Sequence, residues 1–225
     1  MRFDILTLFP AIFPGYLGES LLEKGIRRRL VEVHVHDLRN WSRDKHHKVD
    51  DRPFGGGPGM VLRVEPVVEG VEEIRGRTRD PGRLILLTPQ GKRFDQRYVR
   101  ELATSNRLIL VCGRYEGFDQ RIIDILKPEE LSIGDFVLNG GEVAAMVVID
   151  AVIRLIPGVL GDATSSIDDS FSREEDWIEF PQYTRPRTYR DHGVPDVLLN
   201  GNHEEIAEWR RAHAARRTER LREAE

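Results

Sequence analysis

Two segments constrain this fold more than any others. RLILLT (Arg83–Thr88) and RLILVC (Arg107–Cys112) are apolar through their interiors with no alternation of polar residues, and each is stopped by a turn signal, Pro89-Gln90-Gly91 or Gly113. A strand that is apolar on both faces must be covered on both faces, as in parallel sheets flanked by helices. The surrounding segments have helical spacing: Val64–Ile74, Asp95–Thr104 and Asp119–Leu126. Phe3–Phe9 reads as another short buried strand ending at Pro10, followed by a helix over Ser20–Leu30. Val31–His36 alternates Val31, Val33 and Val35 with Glu32, His34 and His36, the period of a half-buried strand. Ser132–Leu138 predicts a further strand ended by Asn139-Gly140-Gly141, and Glu142–Ile156 a long, mostly apolar helix. The expectation is an α/β domain over residues 1–160, with a mainly parallel sheet and helices on both faces.

The pattern changes after Gly161. Asp162–Glu179 carries Asp162, Asp168, Asp169, Glu174, Glu175, Asp176 and Glu179 against a single Arg173, and reads as a flexible acidic linker over 161–180. Beyond Pro181 the chain is polar and rich in arginine. His203–Arg222 predicts a helix, capped by Asn202 with Glu204 and Glu205 in its first turn, so 181–225 is expected to be a small all-helical domain. Asp37–Gly59 is too rich in glycine and charge to be regular.

Cys112 is the only cysteine, which excludes an internal disulfide and fits a reducing compartment. The longest apolar stretch, Val143–Val159, is interrupted by Asp150, Arg154 and Pro157, short of the ~18–20 apolar residues a spanning helix needs. The expectation is a soluble, cytoplasmic chain with no membrane partner. A net charge of −4 lends no support to a basic nucleic-acid-binding tail, although local patches would suffice for RNA.

In open parallel sheets, ligands bind beyond the carboxyl ends of the strands. Three loops follow the apolar strands here: Thr88–Gly91, Gly113–Gly117 and Asn139–Glu142. Any one of them is an ordinary turn. Three together, with Tyr115 and Glu116 in the middle one, point to a shared crevice. No G-x-x-x-x-G-K-[ST] and no G-x-G-x-x-G after a strand is present, so neither a P-loop nor an ordinary dinucleotide site is supported. Composition and spacing reach an adenosine-sized ligand and stop there.

Seven ordered blocks carry a resemblance. VDDRPFGGGPGM (Val49–Met60), RYEGFDQR (Arg114–Arg121), SIGDFVLNGGE (Ser132–Glu142), PGVLG (Pro157–Gly161), DDSF (Asp168–Phe171), PQYTRP (Pro181–Pro186) and LLNGNHEEI (Leu198–Ile206) resemble segments of the bacterial tRNA (guanine-N1-)-methyltransferase family, TrmD, of the SPOUT or trefoil-knot class. The resemblance implies a C-terminal trefoil knot in the α/β domain. It implies S-adenosylmethionine as cofactor and a homodimer with active sites at the subunit interface. It implies that the methyl group goes to N1 of the guanosine immediately 3′ of the anticodon. Carried over by position, the cofactor would be held by Leu87, Pro89, Gly113, Tyr115, Glu116, Ile133, Gly134, Phe136, Leu138, Gly140 and Gly141.

Guanine N1 carries a proton at neutral pH, so the reaction needs a general base, and charge building on O6 needs a cation. The resemblance implies Asp169 as the base; on the residues alone, Asp168 and Asp169 read more simply as solvated linker charges. It implies Arg154 as the group facing O6; on the residues alone, an ion pair with Asp150 four positions earlier serves equally well. It also implies Mg²⁺ held by Glu116, Asp169 and Glu179. Relatives often carry Asp at the last position, which puts the metal geometry in question. Phe54 and Phe136 stand where Tyr is frequent, and Asn200 where Ser is frequent.

For the RNA, Asp50, Phe54 and Gly59 resemble the part of the family that surrounds the flipped guanine. Arg185 and His203 are the C-terminal candidates for the tRNA anticodon stem-loop, among arginines interleaved with Tyr183 and Tyr189. Three rival readings stand beside this one. His34-x-His36 with His46, His47, Asp50 and Asp51 could serve a metal-dependent hydrolase. The basic stretches could serve a non-catalytic RNA-binding module. A knotted methyltransferase of ribose 2′-hydroxyls is the third.

Overall fold

The computed structural model describes residues 1–160, 169–172 and 177–223. The chain runs β1 (Arg2–Thr7), α1 (Phe13–Leu17), α2 (Ser20–Arg27), β2 (Glu32–Asp37), β3 (Asp50–Asp51), β4 (Val61–Leu62), α3 (Val64–Gly76) and β5 (Arg83–Arg93). It continues with α4 (Gln96–Ala103), β6 (Arg107–Cys112), α5 (Gln120–Leu126), β7 (Glu129–Ser132), α6 (Gly141–Ile153), β8 (Thr188–Tyr189), β9 (His192–Gly193) and α7 (His203–Arg222). Two compact units divide it, Met1–Gly161 and Asp162–Glu225.

In the first unit, β6 is buried along its whole length and stands at the centre of a five-stranded sheet of order β2-β1-β6-β5-β7. All four pairings are parallel. Leu108, Leu110 and Cys112 pack on one face among Leu102 of α4 and Ala145, Val148, Ile149 and Val152 of α6. Ile109 and Val111 pack on the other among Val67, Val71 and Ile74 of α3 and Ile122 of α5. The unbroken apolar runs are thus explained by helices on both faces. Truncating one such leucine or isoleucine to alanine removes about 2–5 kcal/mol.

Two strands depart from expectation. Pro89-Gln90-Gly91 does not stop β5, which shifts register and pairs again, Lys92 with Leu131 and Arg93 with Ser132. Gly91 permits this, because a Cβ there would run into the backbone of Glu130 and Leu131. The strand expected over Ser132–Leu138 is instead Glu129–Ser132, and the chain leaves the sheet at Ile133. The Ser132 hydroxyl donates to the Gly134 carbonyl at 3.0 Å and accepts from its amide at 3.3 Å, closing a turn with Gly134 at φ +153°. Phe136, Val137 and Leu138 are consequently exposed. Within Asp37–Gly59 the chain makes a 3-10 turn at Leu38–Trp41, and β3 pairs antiparallel with β4.

The second unit is not all-helical. β8 and β9 form a hairpin whose turn residues, Arg190 and Asp191, sit at φ +48° and +65°. Both central residues are left-handed, as in a tight hairpin turn, but Arg-Asp lacks the Asn-Gly signature that marks such turns in a sequence. The expected helix is α7, with the Asn202 side chain accepting from the amides of Glu204 (3.1 Å) and Glu205 (3.5 Å). Of the expected linker, residues 161–168 and 173–176 lie outside the described residues. Its last part runs along α7: the Ile178 amide donates to the Thr218 hydroxyl at 2.8 Å, and Arg210 lies over the Phe180 ring at 4.7 Å. Among the described residues, no helix is long and apolar enough to cross a membrane.

Candidate cofactor crevice and active site

The irregular Leu87–Gln90 stretch of β5 converges with the loops after β6 and β7. The Gly141 amide donates to the Gly113 carbonyl at 2.8 Å, and Arg114 forms a β-bridge with Gly140. A Cβ on Gly141 would lie 2.7 Å from the Cα of Cys112, and one on Gly113 would lie 2.8 Å from the Phe118 ring. At Gly141 the requirement for glycine comes from the close approach of the two loops; at Gly113 it comes from the Phe118 ring and the Leu87 carbonyl. Tyr115 adopts φ +60° without being glycine, a conformation that persists only where the surroundings enforce it. Those surroundings are the Met60–Leu62 segment, whose Met60 carbonyl accepts from the Glu116 amide at 3.0 Å and whose Leu62 amide donates to the Gly117 carbonyl at 2.9 Å.

All eleven positions named above for the cofactor line this one crevice. Its lining combines glycine-rich loop segments with apolar side chains such as Leu87, Ile133 and Leu138 and polar ones such as Gln90, Glu116 and Asn139, a mixture suited to a small organic ligand. Two of the substrate candidates join it. Gly59, at φ +80°, packs directly against the Glu116 side chain. Burial first, then the neighbouring Asp50 carboxylate, which hydrogen-bonds the phenol, raise the Tyr115 hydroxyl above its ordinary pKa. Phe54 is fully exposed.

Other candidates lie elsewhere. Arg154 is the exposed C-cap of α6, on the same outward face as Val143, Val147 and Asp150. Asp169 belongs to the second unit, half-buried, with its carbonyl accepting from the Ser172 amide at 3.1 Å. Asp168 lies outside the described residues. Arg185 lines a pocket of the second unit with Tyr183, Arg187, Trp209 and Arg210, and His203 is the exposed first residue of α7.

Among the described residues, no group of three or more His, Cys, Asp or Glu side chains is gathered closely enough to hold a metal ion. Glu116 falls in the first unit, Asp169 and Glu179 in the second. The Mg²⁺ set is thus divided between the two units. The histidines of the zinc reading are engaged with carboxylates: His36 meets the buried Asp4 carboxylate at 2.8 Å, and His34 stands 3.5 Å from Glu32. Cys112 is no nucleophile, since burial pushes its thiol well above the ordinary range.

Sequence reasoning missed three participants. Glu142 is 1% exposed, Thr7 is fully buried, and Arg114 joins them. Glu142 stood in plain view in the NGGE block. The signal for its importance is a carboxylate at the start of an apolar helix, which has to find partners when that helix is buried.

A parallel sheet whose strand-end segments enclose one crevice is the architecture of an α/β ligand-binding domain. Comparison with known sequences narrows this. The family model described as tRNA (Guanine-1)-methyltransferase TrmD matches residues 1–224, and the chain belongs to that family. A tRNA (guanine-N(1)-)-methyltransferase of Rhodopirellula baltica is 65% identical over 219 residues, covering 97% of this chain and 90% of the relative. Relatives of the same name from Dehalococcoides mccartyi (97% of this chain, 87% of the relative) and Geobacter sulfurreducens (99% and 89%) are each 53% identical.

Proposed function

We propose that this protein methylates N1 of guanine in tRNA, using S-adenosylmethionine, at the guanosine immediately 3′ of the anticodon. The family match along essentially the whole chain carries the reaction and the substrate class. For the cofactor, support comes from the crevice itself: a Cβ at Gly113 or Gly141 would collide with its neighbours, and every residue expected to hold the cofactor lines this one space. The sulfonium of S-adenosylmethionine supplies an electrophilic methyl group. The chain has to supply the rest.

Asp169 takes the N1 proton, turning a poor nucleophile into a competent one. The Arg154 guanidinium, permanently charged, donates to O6 as negative charge builds there. Loop residues Gly113–Gly117 and Asn139–Gly141 orient the cofactor, and Asp50 with Gly59 borders the space for the flipped base. A homodimer with active sites at the subunit interface is favoured by the outward face of α6, where Val143 is 54% and Val147 41% exposed beside Arg154. The knotted path that the family resemblance implies belongs to the same reading. Arg185 and His203 contact the anticodon stem-loop.

Transfer of labelled methyl from S-adenosylmethionine to tRNA transcripts that differ only at the guanosine after the anticodon tests the reading. Label should enter the guanosine transcript alone, at N1. Equal labelling of both transcripts, or label on a ribose hydroxyl, would refute it.

A further inference from the structure

Glu142 does not line the crevice, but its carboxylate ties together three segments, two of which, around Arg114 and Asn139, do. Glu142 Oε1 accepts from the Thr7 hydroxyl at 2.7 Å. Its Oε2 accepts from Arg114 Nε at 2.9 Å and lies 2.8 Å from Nη2, a two-pronged pair. Arg114 Nη1 donates to the Asn139 carbonyl at 3.1 Å, and the guanidinium lies 4.3 Å over the Phe9 ring. The Thr7 hydroxyl in turn accepts from the Phe9 amide at 2.9 Å. The end of β1, the loop after β6 and the loop entering α6 therefore share one buried node.

We propose that Glu142 is a positioning residue whose buried carboxylate, clamped between Thr7 and Arg114, fixes the separation of the 113–118 and 139–142 loops and thereby the affinity for S-adenosylmethionine. The inference rests on the cofactor assignment above. Arg114 is flanked by Gly113 and Tyr115, and Glu142 by Gly141, all of which line the crevice. Movement of the ion pair is transmitted directly to those neighbours. A buried charge pair holds its geometry tightly, because either charge alone would be stranded in a poorly solvating interior. Thr7 is fully buried at the end of β1, a strand paired on both sides, so loop spacing is referred to the sheet and not to solvent.

The test compares Glu142→Gln, Thr7→Val and Thr7→Ser in the full chain. Valine fills the threonine site without a hydroxyl and should fold; serine restores the donor. Three readouts apply: calorimetric affinity for S-adenosylmethionine, amide hydrogen exchange of 113–118 and 139–141 without cofactor, and kcat and KM for methyl transfer. Glu142→Gln and Thr7→Val should each raise Kd and KM for the cofactor about tenfold, keep kcat within about threefold, and speed exchange in both loops. Thr7→Ser should return all three to near wild-type values. Wild-type affinity and exchange in both variants, with only a lowered Tm, would reduce the node to a structural role and overturn the proposal. A fall in kcat with cofactor affinity unchanged would overturn it as well. Wild-type protein that binds no S-adenosylmethionine would instead sink the cofactor assignment itself.

Discussion

The amide of Gly141 donates to the carbonyl of Gly113 at 2.8 Å, and this single hydrogen bond brings the entrance of α6 against the end of β6. Gly140 makes an instructive neighbour. A Cβ on Gly141 would meet backbone at Cys112 and Gly113, which cannot retreat, whereas one on Gly140 would meet only the Arg114 side chain. Gly141→Ala should therefore lower stability by about 1–3 kcal/mol in urea denaturation and weaken cofactor binding more than tenfold. Gly140→Ala would push the Arg114 guanidinium off the buried Glu142 carboxylate, so it too should lower stability, by about 1–3 kcal/mol, and raise KM for the cofactor. Wild-type stability of Gly141→Ala would count against a rigid approach at that residue.

Asp169→Ala should reduce kcat by about 10²–10⁴, the usual contribution of a positioned general base, with cofactor affinity intact by calorimetry. Single-turnover assays at saturating tRNA make the comparison clean. Retained transfer would remove Asp169 from the mechanism. Mixing this variant with the Gly141→Ala protein should recover part of the activity, if each active site draws on two subunits.

Stability should depend on pH through Asp4. Its carboxyl is wholly buried, and burial alone would raise its pKa. Hydrogen bonds from His36, Arg2 and Arg107 outweigh that and hold it far below the usual carboxylate range. A depressed folded-state pKa contributes stability above the unfolded value of about 3.9, and that stability is lost as pH falls toward the folded value. Asp4→Asn should cost about 3–5 kcal/mol at pH 7, since it strands the buried Arg107, and the gap to wild type should narrow below about pH 4. Urea titrations at pH 7, 5 and 3 give the comparison; a gap independent of pH would exclude the ionised carboxylate as its source.

What was legible in the sequence follows from what kind of force fixed each element. β6 and α7 were readable residue for residue, because one is an unbroken apolar run and the other begins at a side-chain cap. The end of β5 and the start of β7 were not. Their pairing beyond Leu87 depends on Gly91 meeting a distant backbone, and no local pattern records that. The hairpin at Arg190-Asp191 was hidden for a related reason, as its left-handed turn is imposed on residues that do not advertise it. The crevice was legible from three loops that follow apolar strands, its full lining only by resemblance, and Thr7 not at all: a lone hydroxyl in a buried strand looks like tolerated polarity until its partner, 135 positions away, is known.

Arginine placement decides how the chain meets RNA despite its net charge of −4. Arg185, Arg187, Arg190 and Arg210 are all exposed in the second unit, the first two and Arg210 near Tyr183 and Trp209, and Arg190 over the Tyr189 ring. Each guanidinium that neutralises a phosphate releases counterions, so affinity for tRNA should fall steeply with salt. Changing Arg185 and Arg187 together to Gln should weaken binding at low salt and flatten the slope of log affinity against log salt by about 0.7 for each phosphate no longer neutralised. Cofactor affinity, set in the other unit, should not change. Filter binding between low and moderate salt measures the slope; an unaltered slope in the double variant would assign the phosphates to other arginines and leave Arg185 without a role in RNA binding.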